Sequence, residues 1–487
     1  MTSRSADLAG LTRSAILGIA RAALIAAALL FVCAPTSAQT VRVWLTTGDH
    51  AKLLEAQAPL AFTNAAPEDE AIVVDPSRLH QEIEGFGASF TDSAAYLLNH
   101  VAAPATRDEV MRRLFSRSGD GIGLGFIRNP MGASDLARTH YSYDDLAPGE
   151  TDPALAHFSI AHDEADIIPL VRQARALNQS LRIMATPWSP PAWMKTSGSL
   201  IGGSLRPDMR APFAQYFVRY LQAYKAAGVP VDYISLQNEP LYVPANYPGM
   251  SMDGATQRDV LRDFVLPALA ASGLATRVLV YDHNWDRPDY PDTVFSDPVL
   301  AASPVIAGTA WHGYAGAPAA MTTVLERFPS KGAYQTEHSG GTWVKDQILE
   351  DFDEIVQVLR NGGRAFVKWS LVLDEHRGPF RGGCDTCSPL VTVAADGSAS
   401  NAVDFYTLGH FSRFILPGAH RIDSESKAGI VSVAALNPDG SKVLVAFNDT
   451  LMRRTFSVHW SGRSFRYVLA GHSAATFVWT GEPDTAN

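Results

Sequence analysis

Short apolar runs alternate with helical patterns eight times between residues 84 and 373, and this alternation limits the fold more than any other feature of the chain. The runs cover 84–90, 123–129, 181–188, 233–238, 277–282, 306–314, 333–337 and 365–373. Each is too short for a buried helix and is bounded by turn residues, as buried parallel strands are. Between them Phe213, Tyr216, Phe217, Tyr220, Leu221 and Tyr224 recur on one helical face. Asp163 is placed to cap the helix that carries Ile167, Ile168, Leu170 and Val171. Eight β-then-α units in roughly 320 residues predict a closed (β/α)8 barrel. An open, doubly wound sheet is the alternative fold. No run leads into a Gly-rich phosphate loop, which argues against nucleotide binding.

The flanks read differently. Residues 41–45 and 71–74 are short β-like pieces before the first barrel unit. From about residue 404 the pattern is again β, with a hairpin predicted where 431–436 and 442–448 flank Asn437-Pro438-Asp439-Gly440. Pairing of the two ends would give one side β-sandwich. The expected organisation is therefore 39–78 as N-terminal sandwich strands, 79–403 as barrel and 404–487 as C-terminal sandwich. Residues 1–38 stand apart: Arg4, Arg13 and Arg21 precede an apolar run over 22–32, and Pro35-Thr36-Ser37-Ala38 resembles a cleavage site. This pattern predicts a secretory signal peptide and an exported protein without stable membrane insertion.

Removal of that leader takes away three basic residues and one acidic one, leaving 37 basic and 49 acidic residues and a net charge of −12 (37 − 49). No basic stripe remains, which excludes nucleic acid as an expected partner and suits a neutral carbohydrate or glycolipid. The mature chain keeps Cys384 and Cys387, three positions apart, and in an exported protein this spacing predicts a local disulfide. A zinc site would need two further ligands, with only His376 near in sequence. No metal or cofactor is expected.

Two of the strand-like runs end in one carboxylate each: Glu239 in Gln237-Asn238-Glu239-Pro240, and Glu337 in Gln335-Thr336-Glu337-His338. Strand C-termini form the active face of such a barrel, and counting puts Glu239 on the fourth strand and Glu337 on the seventh, across the mouth. Paired carboxylates suit glycoside hydrolysis, one as acid/base and one as nucleophile. A single strand-end Glu is more often a salt-bridge partner; two on facing strands favour catalysis. The amide of Asn238 is placed to bond a sugar hydroxyl. A catalytically silent carbohydrate-binding protein and an inverting hydrolase are the rival readings. An esterase lacks its Gly-x-Ser-x-Gly elbow.

The chain also resembles glycoside hydrolase family 30, the family of glucosylceramidase. The resemblance rests on Gln81 to Gly87, Thr91-Asp92, Pro187-Trp188-Ser189-Pro190-Pro191-Ala192-Trp193-Met194-Lys195, Asn238-Glu239-Pro240 and Leu408 to Phe414, in the family's order. It implies a barrel with a side sandwich, Glu239 as acid/base, Glu337 as nucleophile and cleavage of β-D-glucosyl bonds with retention. It further implies that Asp92 holds sugar hydroxyls, that Trp188 and Trp369 stack on the pyranose, and that Tyr314 bonds the nucleophile. His312 is expected at the same mouth, and Arg128 beside Glu337. For each of these residues a purely structural role is the alternative: a helix cap for Asp92, packing for the tryptophans, a core ion pair for Arg128. Two departures bear on substrate. Gly313 stands where the family's animal members have Trp, and residues 374–379 leading into the cysteines do not follow the ceramidase pattern. A glucosylceramidase-like β-glucosidase is the lead expectation, with an endo-β-1,6-glucanase as its competitor.

Overall fold

The computed structural model describes residues 39–64, 71–427 and 429–481, so the expected signal peptide lies outside the described residues. Strands β1 (Thr40–Thr46), β2 (Glu55–Ala61) and β3 (Ala71–Ile83) precede the barrel strands β4 (Gly85–Ser89), β5 (Phe126–Pro130), β6 (Arg182–Thr186) and β7 (Tyr233–Ile234). The barrel continues with β8 (Arg277–Asn284), β9 (Ile306–His312), β10 (Gly332–His338) and β11 (Gly363–Lys368). These eight strands are parallel and close on themselves, β11 pairing with β4, and β10 lying between β9 and β11. All eight predicted runs coincide with these strands. The ladder of the fourth is only two residues long, because the chain after Ile234 leaves the sheet to present Asn238 and Glu239.

Closure follows from residues that are apolar on both faces. Phe126, Met184, Tyr233, Leu279, Ala307, Tyr334, Ala365 and Val367 fill the barrel as one cluster, and the outward residues meet the surrounding helices. The helix Arg210–Ala226 buries Phe213, Tyr216, Phe217, Tyr220, Leu221 and Tyr224, the face the sequence pattern marks. At the bottom of the barrel the buried Glu84 accepts from the hydroxyls of Tyr233 (2.5 Å) and Tyr334 (2.6 Å). Asp163 departs from expectation. It caps no helix; its fully buried carboxylate accepts from Tyr141 (3.2 Å), Tyr143 (2.5 Å) and Tyr224 (2.5 Å). Three phenolic donors outcompete the two or so amides a helix end supplies.

Beyond the barrel come a small sheet of β12 (Val372–Asp374), β13 (Val391–Val393) and β14 (Ala399–Asn401), then β15 (Ala419–Ser424), β16 (Val431–Leu436), β17 (Lys442–Phe447), β18 (Arg454–Trp460), β19 (Arg463–Leu469) and β20 (Ala474–Trp479). The side domain runs β19-β18-β3-β15-β16-β17-β20-β1-β2, so both ends of the chain build it, as expected. The predicted hairpin is present, with Val431 opposite Phe447 and Gly440 at φ 79° in its turn. The expected boundary at 403 differs. Residues Val403–Ser412 are helical and belong with the barrel: Asp404 pairs with Lys368 at 2.7 Å, and His410 packs on Phe352 at 5.3 Å. Phe405, Leu408 and Phe411 recur every third residue, a helical spacing inside a stretch expected to be all β.

Candidate active site

At the C-terminal end of the barrel lies a cleft of about 470 Å³ lined by Trp188, Asn238, Glu239, Tyr314, Glu337 and Trp369, together with Asp135 and the cysteine loop. A larger hollow of about 690 Å³ on the sandwich is lined by Val73, Pro76, Trp460 and neighbours, without a facing pair of carboxylates. The chemistry is in the barrel.

Glu239 follows β7 in the left-handed region at φ 45°, and its amide donates to the Asp282 carbonyl at 3.0 Å. Strain of this kind at a non-glycine residue persists only where the surroundings impose it. Glu337 sits near the end of β10. One oxygen of Glu239, one of Glu337 and a ring nitrogen of His312 all lie within 4.8 Å of one another. So close an approach of one oxygen from each suits a retaining pair, about 5–5.5 Å apart, better than an inverting pair spread to roughly 6.5–9.5 Å.

Each carboxylate is held by its own set of donors. Arg128 Nη1 donates to Glu337 Oε2 at 2.5 Å, and the Tyr314 hydroxyl to Oε1 at 3.0 Å. Arg128 Nη2 reaches Asn238 Oδ1 (2.7 Å) and Asp282 Oδ2 (2.9 Å), which leaves the Asn238 amide nitrogen as the group able to donate into the cleft. His312 bridges Glu239 Oε1 (Nδ1, 3.1 Å) and Asp282 Oδ1 (Nε2, 3.0 Å). Asp282, buried at the end of β8, also accepts from Ser235 (2.6 Å) and Thr336 (2.7 Å). Burial opposes its charge, yet Arg128, His312 and Ser235 hold it well below the usual carboxylate range.

Proton affinities follow from this web. Burial works against charge on His312, but Glu337, Asp282 and Glu239 push it up to about 9. Burial likewise raises Glu239, and the proton donated by His312 outweighs it, drawing Glu239 below the usual range. Glu337 lies above that range, because burial and the charge of Glu239 outweigh His312 and Arg128. A proton on His312 Nδ1 therefore rests on the hydrogen bond to Glu239, from which it can pass to that carboxylate.

The aromatic pair is stacked: the rings of Trp188 and Trp369 are 5.2 Å apart at 26°, and the Arg128 guanidinium lies 4.8 Å from the Trp188 ring. The peptide between Trp369 and Ser370 is cis. Cys384 and Cys387 are bonded, S–S 2.00 Å, and line the same cleft. The structure thus brings together every expected site residue but one. Asp92 does not line the cleft: its carboxylate accepts from the Arg138 amide (2.8 Å), Nε (3.0 Å) and Nη2 (2.7 Å). Nor is it the cap of its helix, a place taken by Thr91.

The carboxylate that faces the cleft instead is Asp135, which sequence reasoning passed over. Burial pushes it up to about 7, and its Oδ2 accepts from the Cys384 amide at 3.1 Å. A Cβ on Gly383 would lie 2.2 Å from Asp135 Cβ, so only glycine lets the cysteine loop lean this closely. Its signal was its place, five residues past the end of β5, on the barrel's active face. Asp282, the last residue of the fifth predicted run, was visible by the same logic.

Comparison with known proteins agrees with the geometry. Residues 83–415 match the glycosyl hydrolase family 30 TIM-barrel domain, and residues 418–477 the glycosyl hydrolase family 30 beta sandwich domain. An endo-1,6-β-D-glucanase of Trichoderma harzianum is 34% identical over 394 residues, 76% of this chain and 78% of that protein. The lysosomal acid glucosylceramidase of Mus musculus is 29% identical over 438 residues, 84% of this chain and 83% of that one. The solved structure of an endo-β1,6-glucanase superposes with a TM-score of 0.83 at 29% identity, covering 91% of this chain and all of that one. The chain belongs to glycosyl hydrolase family 30.

Proposed function

We propose that this family 30 glycosidase is an exported, retaining endo-β-1,6-glucanase, with Glu337 as nucleophile and Glu239 as acid/base. The observation that carries the mechanism is the approach of Glu239 and Glu337 within 4.8 Å. Glu239 protonates the glycosidic oxygen as Glu337 attacks the anomeric carbon, forming a covalent glycosyl ester and releasing the leaving sugar. Esterification removes the charge of Glu337. Glu239, now ionised, takes a proton from water as the water attacks the same carbon, and the anomeric configuration is restored. His312 supplies and receives protons at Glu239, while Arg128 and Tyr314 hold Glu337 in line.

For substrate, the lead expectation of glucosylceramide gives way to its competitor. The glucanase of Trichoderma harzianum is closer in sequence than the mouse glucosylceramidase. The cleft supports a polysaccharide as well: Tyr242 and Trp343 line it with exposed rings, suited to stacking on further sugars outside the bond cleaved. The test is hydrolysis of a β-1,6-glucan beside glucosylceramide by wild type and Glu337→Gln, with product lengths and the first-released anomer followed. Short oligosaccharides of retained configuration, absent with Glu337→Gln, are expected. Glucose alone from the chain ends, or preference for the glycolipid, refutes the substrate; an inverted first anomer refutes the mechanism.

A further inference from the structure

The loop between β5 and the helix Ile167–Leu177 carries a second group of acids that the cleft does not use. Asp144 is only 1% exposed, yet among the described residues neither of its carboxylate oxygens has a hydrogen-bond partner. A carboxylate withdrawn from water without a donor is among the costliest arrangements in a folded chain, and calls for a cation or a proton. Asp152 is also buried, and His157 is exposed beside it. One oxygen of each aspartate and one nitrogen of His157 lie within 4.8 Å of one another. Asp152 Oδ2 accepts from the His157 amide (2.8 Å) and from Nδ1 (3.1 Å), which fixes the ring against the pair. Burial works against charge on Asp144, Asp152 and Asp145 add repulsion, and His157 attracts it. Asp145 is turned away, accepting from the Ser142 amide (2.8 Å) and hydroxyl (2.6 Å).

We propose that Asp144, Asp152 and His157 bind one divalent metal ion. Two carboxylates with an imidazole form a donor set for zinc or manganese, whereas calcium and magnesium prefer oxygen alone. The ion supplies the partner that Asp144 lacks, and the exposed His157 ring, exchanging its hydrogen bond to Asp152 for the ion, closes the set with water completing the coordination. Its role is structural. The Asp144 carbonyl accepts from the Trp193 indole at 3.1 Å, in the segment after β6 that also carries Trp188 of the cleft. An ion at this loop braces that segment from outside without touching the reacting groups.

The test is calorimetric titration of chelator-treated protein with Zn²⁺, Mn²⁺ and Ca²⁺ separately, with melting temperature followed alongside. One Zn²⁺ or Mn²⁺ per chain and a raised melting temperature are expected, with affinity reduced roughly tenfold or more by both Asp144→Asn and His157→Ala. His157 is exposed, so its variant folds. Asp144→Asn removes a buried unpaired charge, so the metal-free variant melts no lower than wild type while losing the rise with metal. Three results overturn the proposal: no stoichiometric binding, unchanged affinity in either variant, or binding of Ca²⁺ alone. The first would mean that a proton, not a metal, satisfies Asp144.

Discussion

Tyr314→Phe removes one hydroxyl and nothing else from the surroundings of Glu337, the proposed nucleophile. That hydroxyl donates to Glu337 Oε1 at 3.0 Å, while Arg128 holds the other oxygen. A hydrogen bond to a charged group is worth about 1.5–3 kcal/mol, and 1.36 kcal/mol corresponds to one pKa unit, so its loss raises the Glu337 pKa by roughly 1–2 units. The sign is fixed by geometry: the hydroxyl donates to the ionised form, so its absence favours the protonated one. Glu337 already lies above the usual range through burial and the charge of Glu239. If Glu337 attacks as proposed it must be ionised, so the acidic limb of kcat/KM should move upward in pH by that amount.

The assay is the pH profile of kcat/KM on a soluble β-glucoside or β-1,6-glucan, which reports the free enzyme. The Tyr314 residue is 42% exposed, so folding is spared and the melting temperature should stay near wild type. An acidic limb that stays in place while the plateau falls would refute the reasoning, and would make Tyr314 a sugar contact instead of a partner of the nucleophile.

Two further substitutions test the supports. Arg128→Met leaves Glu337 and Asp282 buried without their shared guanidinium, and should cost about 3–5 kcal/mol in urea unfolding at neutral pH. Asp282, held well below its unfolded pKa, contributes stability above the ordinary carboxylate range that is lost as pH falls; without Arg128 that loss should begin at higher pH. A cost inside the ±0.5 kcal/mol of an ordinary surface change would refute the pairing. Gly313→Ala puts a Cβ 2.2 Å from Glu354 Oε1 and 2.8 Å from His338 Nδ1, and the same unfolding assay should show a loss of roughly 1–3 kcal/mol. A neutral result would mean that the Glu354 side chain yields freely.

The barrel was legible because its strands are apolar on both faces and the helices between them follow a different period, so the two patterns separate cleanly. The glutamates were legible because each ends such a run. What failed was assignment within loops and short polar stretches. Asp92 and Asp135 both follow a barrel strand, and the sequence does not show that Arg138, 46 residues further on, turns back to occupy Asp92. Asp163 looked like a cap because its tyrosine partners are distant in the chain, Tyr224 by 61 positions. The helix Val403–Ser412 was absorbed into the β region because its one charged anchor, Asp404, finds Lys368 only in the closed barrel. In each case the deciding partner is nonlocal.

The same nonlocality shapes the surroundings of Gly313. The position of Gly313 is not vacant space awaiting a larger residue: Glu354, from the helix Gln347–Arg360, reaches into it and pairs with His338 at 2.6 Å. An indole cannot share that volume while Glu354 and His338 fill it. The disulfide loop leans on Asp135 through Gly383, and both line the cleft. Arg128 and Tyr314 both hold Glu337, and His312 ties Glu239 to Asp282, which Arg128 also holds, so these groups form one connected web. At the rim Tyr242 and Trp343 stand exposed, where the proposed glucan chain would make its contacts beyond the bond cleaved.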